Sequence, residues 1–267
     1  MAVMKRNVVL VTGASSGIGQ ALALDCAAPG RLLHLSGRDG SRLAETEAAC
    51  VSRGAVVRTR VLDVADRGAM QDWIGNAGPL DLVLACAGIS GGPVPAAGGR
   101  AAQEDPEQVR RILATNLDGV VNTVLPAVAV LEQQPLENGV RGRIAAIASV
   151  AGFVSFPTAP TYCASKAAVD RWMVATGANL APAGILLSSV ACGFVRSRMT
   201  DKNDFPMPGL MDADEAARLI LRGMAAGRRR IVFPWWMAAG ARVMDLLPVR
   251  VTEAILSRQP PKAAGAL

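Results

Sequence analysis

Tyr162 and Lys166 stand four residues apart in a stretch whose pattern predicts a helix over 160–181, so both side chains fall on one helical face and reach the same small volume. A phenol with its reference pKa of about 10 is a weak base at neutral pH, but an adjacent ammonium favours the phenolate and would lower that value, making Tyr162 a general acid or base. Ser149, just past a strand predicted over 144–147, can hydrogen-bond a substrate oxygen. Asn116, on a helix predicted over about 106–132, can hold a water or a helix carbonyl near the lysine. Taken alone, the Tyr-x-x-x-Lys spacing is also what an exposed helical pair would show.

A second cluster lies near the N-terminus. Thr12-Gly13-Ala14-Ser15-Ser16-Gly17-Ile18-Gly19 follows an apolar strand candidate over 7–11 and opens an Ala- and Leu-rich helix. Backbone N–H groups and a positive helix end meet a nucleotide pyrophosphate in that setting. The spacing is Gly-x-x-x-Gly-x-Gly rather than Gly-x-Gly-x-x-Gly. At the end of the second strand a carboxylate would accept the adenosine ribose hydroxyls. This chain has Leu35-Ser36-Gly37-Arg38 instead, and Arg38 can pair with a 2′-phosphate, so NADP(H) is expected over NAD(H). Asp63, closing the third strand, can accept from the adenine amino group or simply turn the chain.

The elements that must carry these groups alternate. Strand candidates at 7–11, 32–35, 56–62, 80–85, 144–147, 185–190 and 231–233 are separated by helical patterns at 41–53, 66–76, 106–132, 160–181 and 212–227, with Asp212 as a candidate N-cap. That order implies βαβ crossovers, hence an α/β fold with a seven-stranded parallel sheet covered on both faces. The glycine- and proline-rich segment 89–105 reads as a loop and 194–211 as a lid. A single dinucleotide-binding domain is expected over 1–233, with an apolar and basic helical extension over 234–267.

Composition removes several chemistries. The chain has 267 residues, 51% apolar and 19% charged, enough for one large core. Its one histidine, His34, cannot build a multi-histidine metal site, and no metal is expected; His34 itself reads as packed in the sheet. Five scattered cysteines with no Cys-x-x-Cys pair fit neither a disulfide framework nor a zinc knuckle, and buried inert thiols in a reducing cytoplasm are expected. No export signal and no run of about 18 apolar residues is visible. The net charge of +6 is uneven: nine cations from Ala216 onward face only Asp245 and Glu253.

Taken together, Thr12-Gly-Ala-Ser-Ser-Gly-Ile-Gly19, Asp63-Val64, Ala87-Gly88, Asn116-Leu-Asp-Gly119, Ser149, Tyr162-Cys-Ala-Ser-Lys166 and Gly193-Phe-Val-Arg-Ser197 resemble the short-chain dehydrogenase/reductase family over nearly the whole of residues 7–200. The resemblance implies a doubly wound Rossmann domain. It makes Tyr162 the proton donor or acceptor, Lys166 a ligand of the nicotinamide ribose, Ser149 the group that positions the carbonyl or hydroxyl, and Asn116 part of a proton relay. It also puts Gly13, Ser15, Ser16, Gly17, Ile18, Gly19, Val64, Ala87, Gly88, Ile147, Gly193, Val195 and Ser197 along the cofactor. A homodimer or homotetramer is implied as well. Three positions depart from the family pattern. Ala85-Cys86 replaces a pair of asparagines, Cys192 replaces a proline, and Ser197 replaces a threonine.

Phe153, Phe156, Phe194, Met199, Phe205 and Met207 suggest an apolar carbonyl or secondary alcohol as substrate, or ordinary packing under a lid. The extension, with Trp235, Trp236 and interspersed arginines, is expected to pack on the substrate mouth or a second subunit, or to lie as a peripheral element on an anionic membrane. The triple arginine at 228–230 reads as a solvated turn, and no nucleic-acid partner is expected. The functional expectation is an NADP(H)-dependent oxidoreductase, with a non-catalytic dinucleotide-binding sensor or scaffold as the alternative.

Overall fold

A computed structural model describes residues 7–93, 103–201 and 203–256. Seven parallel strands run in the order β3-β2-β1-β4-β5-β6-β7: β1 Val8–Thr12, β2 Leu32–Gly37, β3 Val56–Val61, β4 Leu82–Ala85, β5 Gly142–Ile147, β6 Ile185–Cys192 and β7 Arg230–Phe233. Strand side chains alternate between the faces, so β1 sends Val9 and Val11 into one apolar layer and Leu10 into the other. The first layer packs under α1 (Gly17–Cys26), α2 (Gly40–Val51) and α7 (Ala213–Ala225), and the second under α3 (Arg67–Gly75), α5 (Gly119–Glu132) and α6 (Pro160–Leu180). Strand β3 closes one edge and is mostly exposed, which is why Arg58 and Arg60 alternate with Val57 and Val61 there. His34 on β2 is buried, and burial followed by the Arg58 charge lowers its pKa, holding it neutral.

Because β1 pairs with β2 on one side and β4 on the other, the chain reverses its winding at the β1–β4 boundary and opens a crevice above the strand ends. The Thr12 hydroxyl ties that boundary together, accepting from the N–H groups of Cys86 at 3.1 Å and Ala87 at 3.4 Å. It bridges the two strands beside the position where the family pattern has an asparagine.

The predicted helix over 106–132 is continuous but not uniform. It runs as α4 (Pro106–Leu113), a π-helical turn (Ala114–Asp118) and α5. Its length and hydropathy would suffice to cross a membrane. In the fold its Val120, Val124, Ala127 and Leu131 are buried in the second apolar layer. A short 3-10 turn, Val150–Phe153, follows β5. After β7 the chain forms α8 (Trp235–Asp245) and α9 (Val249–Leu256).

Local details correct two expectations. Asp212 does occupy the N-cap position of α7, but its carboxylate turns outward to accept from Arg196 Nε at 2.9 Å instead of capping the helix. Arg230 is no solvated turn residue: its guanidinium grips the buried Asp170 of α6 through two bonds of 2.9 and 2.8 Å. Arg258 and Lys262, counted in the basic tail, lie outside the described residues.

Candidate active site

One cleft of about 1010 Å³ lies over the strand ends, at the upper end of the usual size for a ligand site. Its walls hold every residue expected along the cofactor, together with Ser149, Tyr162 and Lys166. At one end, the chain leaves β1 through Gly13, whose φ of +66° suits glycine. A Cβ there would lie 2.8 Å from the Ala87 backbone, so no larger residue could let β1 and β4 approach so closely. Ser16 stands at the N-cap of α1 without a side-chain bond to the helix, leaving the first-turn N–H groups available to a phosphate. These features fit a dinucleotide pyrophosphate.

Arg38 lines the cleft at the same end and is half exposed, with a carboxylate oxygen of Asp63 3.7 Å away. The other Asp63 oxygen accepts from Ala65 N at 2.9 Å, so Asp63 does turn the chain. Arg42 lines the same end and escaped sequence reasoning, because a cation one turn into a helix reads as a solvated residue. Its Nη2 pairs with Asp39 at 2.8 Å, while its buried Nε has no hydrogen-bond partner among the described residues. A buried unsatisfied donor in a cleft carries a desolvation cost that an anionic ligand would remove.

At the other end, α6 brings in Tyr162 and Lys166. Its first turn is fastened from outside the helix: Glu104 accepts from Thr161 N at 3.0 Å and from the Thr161 hydroxyl. Lys166 is buried and donates to the Ile147 carbonyl at 2.7 Å, with its Nζ 5.8 Å from the centre of the Tyr162 ring. Ser149 accepts from Ala151 N at 3.1 Å, donates to the Cys192 carbonyl at 3.4 Å and is hydrogen-bonded to Tyr162.

The chain's own groups push the Tyr162 pKa upward. Burial is the largest cause, followed by the nearby Cys192 thiol, and only the Ser149 bond opposes them. Burial likewise raises the thiols of Cys86 and Cys192, which disfavours reactive thiolate.

Asn116 is not on the cleft wall. It is fully buried in the π-helical turn, where its amide accepts from Ile89 N at 2.8 Å and donates to Ile89 O at 2.9 Å and Ser165 Oγ at 3.0 Å. Its Oδ1 and Lys166 Nζ converge on Gly88, lying 3.3 and 3.4 Å from where a Cβ would sit. Asn116 thus shapes the loop after β4 from behind.

Phe156, Phe194, Met199 and Phe205 line the cleft as expected. Phe153 does not: its ring is buried under the guanidinium of Arg242, 4.1 Å from the ring centre. Met207 also faces elsewhere, with Asn203 Nδ2 3.4 Å from its sulfur. The apolar extension contributes wall residues, among them Trp236, Met237, Gly240, Ala241 and Met244.

Comparison with known proteins agrees with this arrangement. The short chain dehydrogenase family model matches residues 7–206. An uncharacterized oxidoreductase of Myxococcus xanthus is 34% identical over 262 residues, covering 97% of this chain and 99% of its own. The granaticin polyketide synthase putative ketoacyl reductase 1 of Streptomyces violaceoruber is 36% identical over 204 residues, 74% of this chain and 71% of its own. A crystal structure of a short-chain type dehydrogenase/reductase from Mycobacterium marinum superposes with a TM-score of 0.71 at 25% identity, covering 85% of this chain and 93% of that one.

Proposed function

The chain belongs to the short-chain dehydrogenase/reductase family, and we propose that it interconverts an apolar carbonyl compound and its secondary alcohol using NADP(H), with Tyr162 as proton donor and acceptor. The observation that carries this reading is the placement of Tyr162, bonded to Ser149 and close to the Lys166 ammonium, in the same cleft as the glycine turn.

Bound nicotinamide supplies or accepts the hydride. Ser149 holds the carbonyl oxygen, and Tyr162, kept protonated by its burial, donates a proton to that oxygen as negative charge develops on it. Lys166, anchored on the Ile147 carbonyl, balances the phenolate left behind, and Asn116 fixes the loop at Ile89 that borders the cleft. Apolar residues Phe156, Phe194 and Phe205 favour an apolar substrate, and the granaticin relative, named a putative ketoacyl reductase, supports a carbonyl substrate. Oxidation of NADPH by the purified protein against a panel of apolar ketones and aldehydes is the test; tight NADPH binding with no turnover across the panel would count for the sensor alternative.

The preference for NADP(H) rests on Arg38 and on Arg42 Nε, which has no partner among the described residues. An Arg38→Ala variant should raise the KM for NADPH about tenfold or more, the worth of a charge-assisted hydrogen bond, and leave that for NADH unchanged. Equal changes for the two cofactors would refute the assignment. Exposed Leu113 and Leu125 on the α4–α5 helix support self-association as a homodimer or homotetramer, which light scattering would measure.

A further inference from the structure

We infer that α8 gauges the length of the substrate and that Gly240 sets the gauge, so the preferred carbonyl compound carries an extended, unbranched apolar chain that runs from Ser149 along this helix. The inference rests on the carbonyl-reductase reading and specifies its substrate class.

Helix α8 turns one stripe toward the cleft. Trp236, Met237, Gly240, Ala241 and Met244 recur at helical spacing along its wall, and Ile255 and Leu256 of α9 continue the same surface. None of these side chains is charged, whereas the catalytic end offers Ser149 and Tyr162. The wall is fixed relative to that end. Ala238 packs with Val150, Phe153 and Ala191, and Arg242 stacks on Phe153, so α8 is seated on the 3-10 turn that Ser149 caps. At the helix start, Met237 Sδ lies 3.0 Å from the point where a Cβ on Gly193 would fall.

Gly240 sits in the middle of this 11-residue helix, where glycine is a poor choice. Its backbone is not in the left-handed region, and a Cβ built on it would meet no atom of the described residues within 4 Å. Neither conformation nor packing therefore asks for glycine. Gly240 is exposed and lines the cleft beside Met237 and Met244, so its missing side chain leaves open space at that part of the wall.

The experiment follows a homologous series from 2-butanone to 2-undecanone with NADPH, using the wild-type chain, Gly240→Leu and Gly240→Ala. In wild type, kcat/KM should rise by about fourfold for each methylene that enters the wall, the equivalent of about 0.8 kcal/mol per buried CH₂. Gly240→Leu should reduce the ratio of kcat/KM for 2-undecanone to that for 2-butanone at least tenfold, on the order of a few lost methylenes. Gly240→Ala should fall between. Leucine is a better helix former than glycine, so the thermal midpoint should not drop, and misfolding will not imitate the result. An unchanged ratio in Gly240→Leu would overturn the gauge while leaving the reductase reading intact. Should wild type reduce no ketone, equilibrium dialysis of 2-undecanone against NADPH-loaded protein decides the gauge separately: weaker binding to Gly240→Leu than to wild type supports it, and equal binding overturns it.

Discussion

A Tyr162→Phe variant should bind NADPH as the wild-type chain does and lose about 10²–10⁴-fold in kcat, the usual worth of a positioned general acid. The ring would still fill its place beside Lys166, and Ser149 would still hold the substrate oxygen, so what disappears is the proton. The pH dependence makes the same point with a sign. Burial raises the phenol above its ordinary value of about 10, so the acid form is present throughout the neutral range and is lost only as pH rises through the raised value. Reduction should therefore be level through neutral pH and decline only in strongly alkaline solution. Oxidation of the alcohol, which needs the phenolate, should climb with pH. Initial rates in both directions across pH check this; full activity in Tyr162→Phe would remove Tyr162 from the reaction.

The reacting groups are legible in the sequence, while their surroundings are not. The Tyr-x-x-x-Lys spacing and the glycine turn are local patterns, and a helix and a strand end each place them without help from elsewhere. The seven strands were legible for the same reason, although β5 and β6 extend further than their apolar runs suggested, to Gly142 and Cys192. The direction of the Tyr162 shift was not, because burial depends on what α6 packs against. The place of Asn116 was hidden too: whether its amide faces the cleft or Ile89 is decided by the π-helical turn, which leaves no mark in the apolar period. For the extension, apolar character was plain, yet only packing separates Met237 and Met244, which line the cleft, from Leu246 and Val249, which are exposed. Phe153 shows the converse. An aromatic residue near Ser149 reads as a substrate contact until Arg242 is found on its face.

Loss of the Arg230 side chain should be strongly destabilising. Asp170 lies one helical turn past Lys166 on α6, is 1% exposed, and is satisfied by Arg230 of β7 and by the Ser189 hydroxyl of β6 at 2.7 Å. Arg230→Ala leaves that carboxylate in the interior with a single hydroxyl, and an uncompensated buried charge costs about 3–5 kcal/mol. A chain of this size then melts roughly 6–20 °C lower. Asp170→Ala should cost less, because the Arg230 side chain is 30% exposed and can turn its charge to water. Removing both should cost less than the two single changes added together, since the double variant buries no lone charge. Urea denaturation of the three variants measures this directly. Additive costs, or an Asp170→Ala change as damaging as Arg230→Ala, would show that the pair is not what joins α6 to the far edge of the sheet.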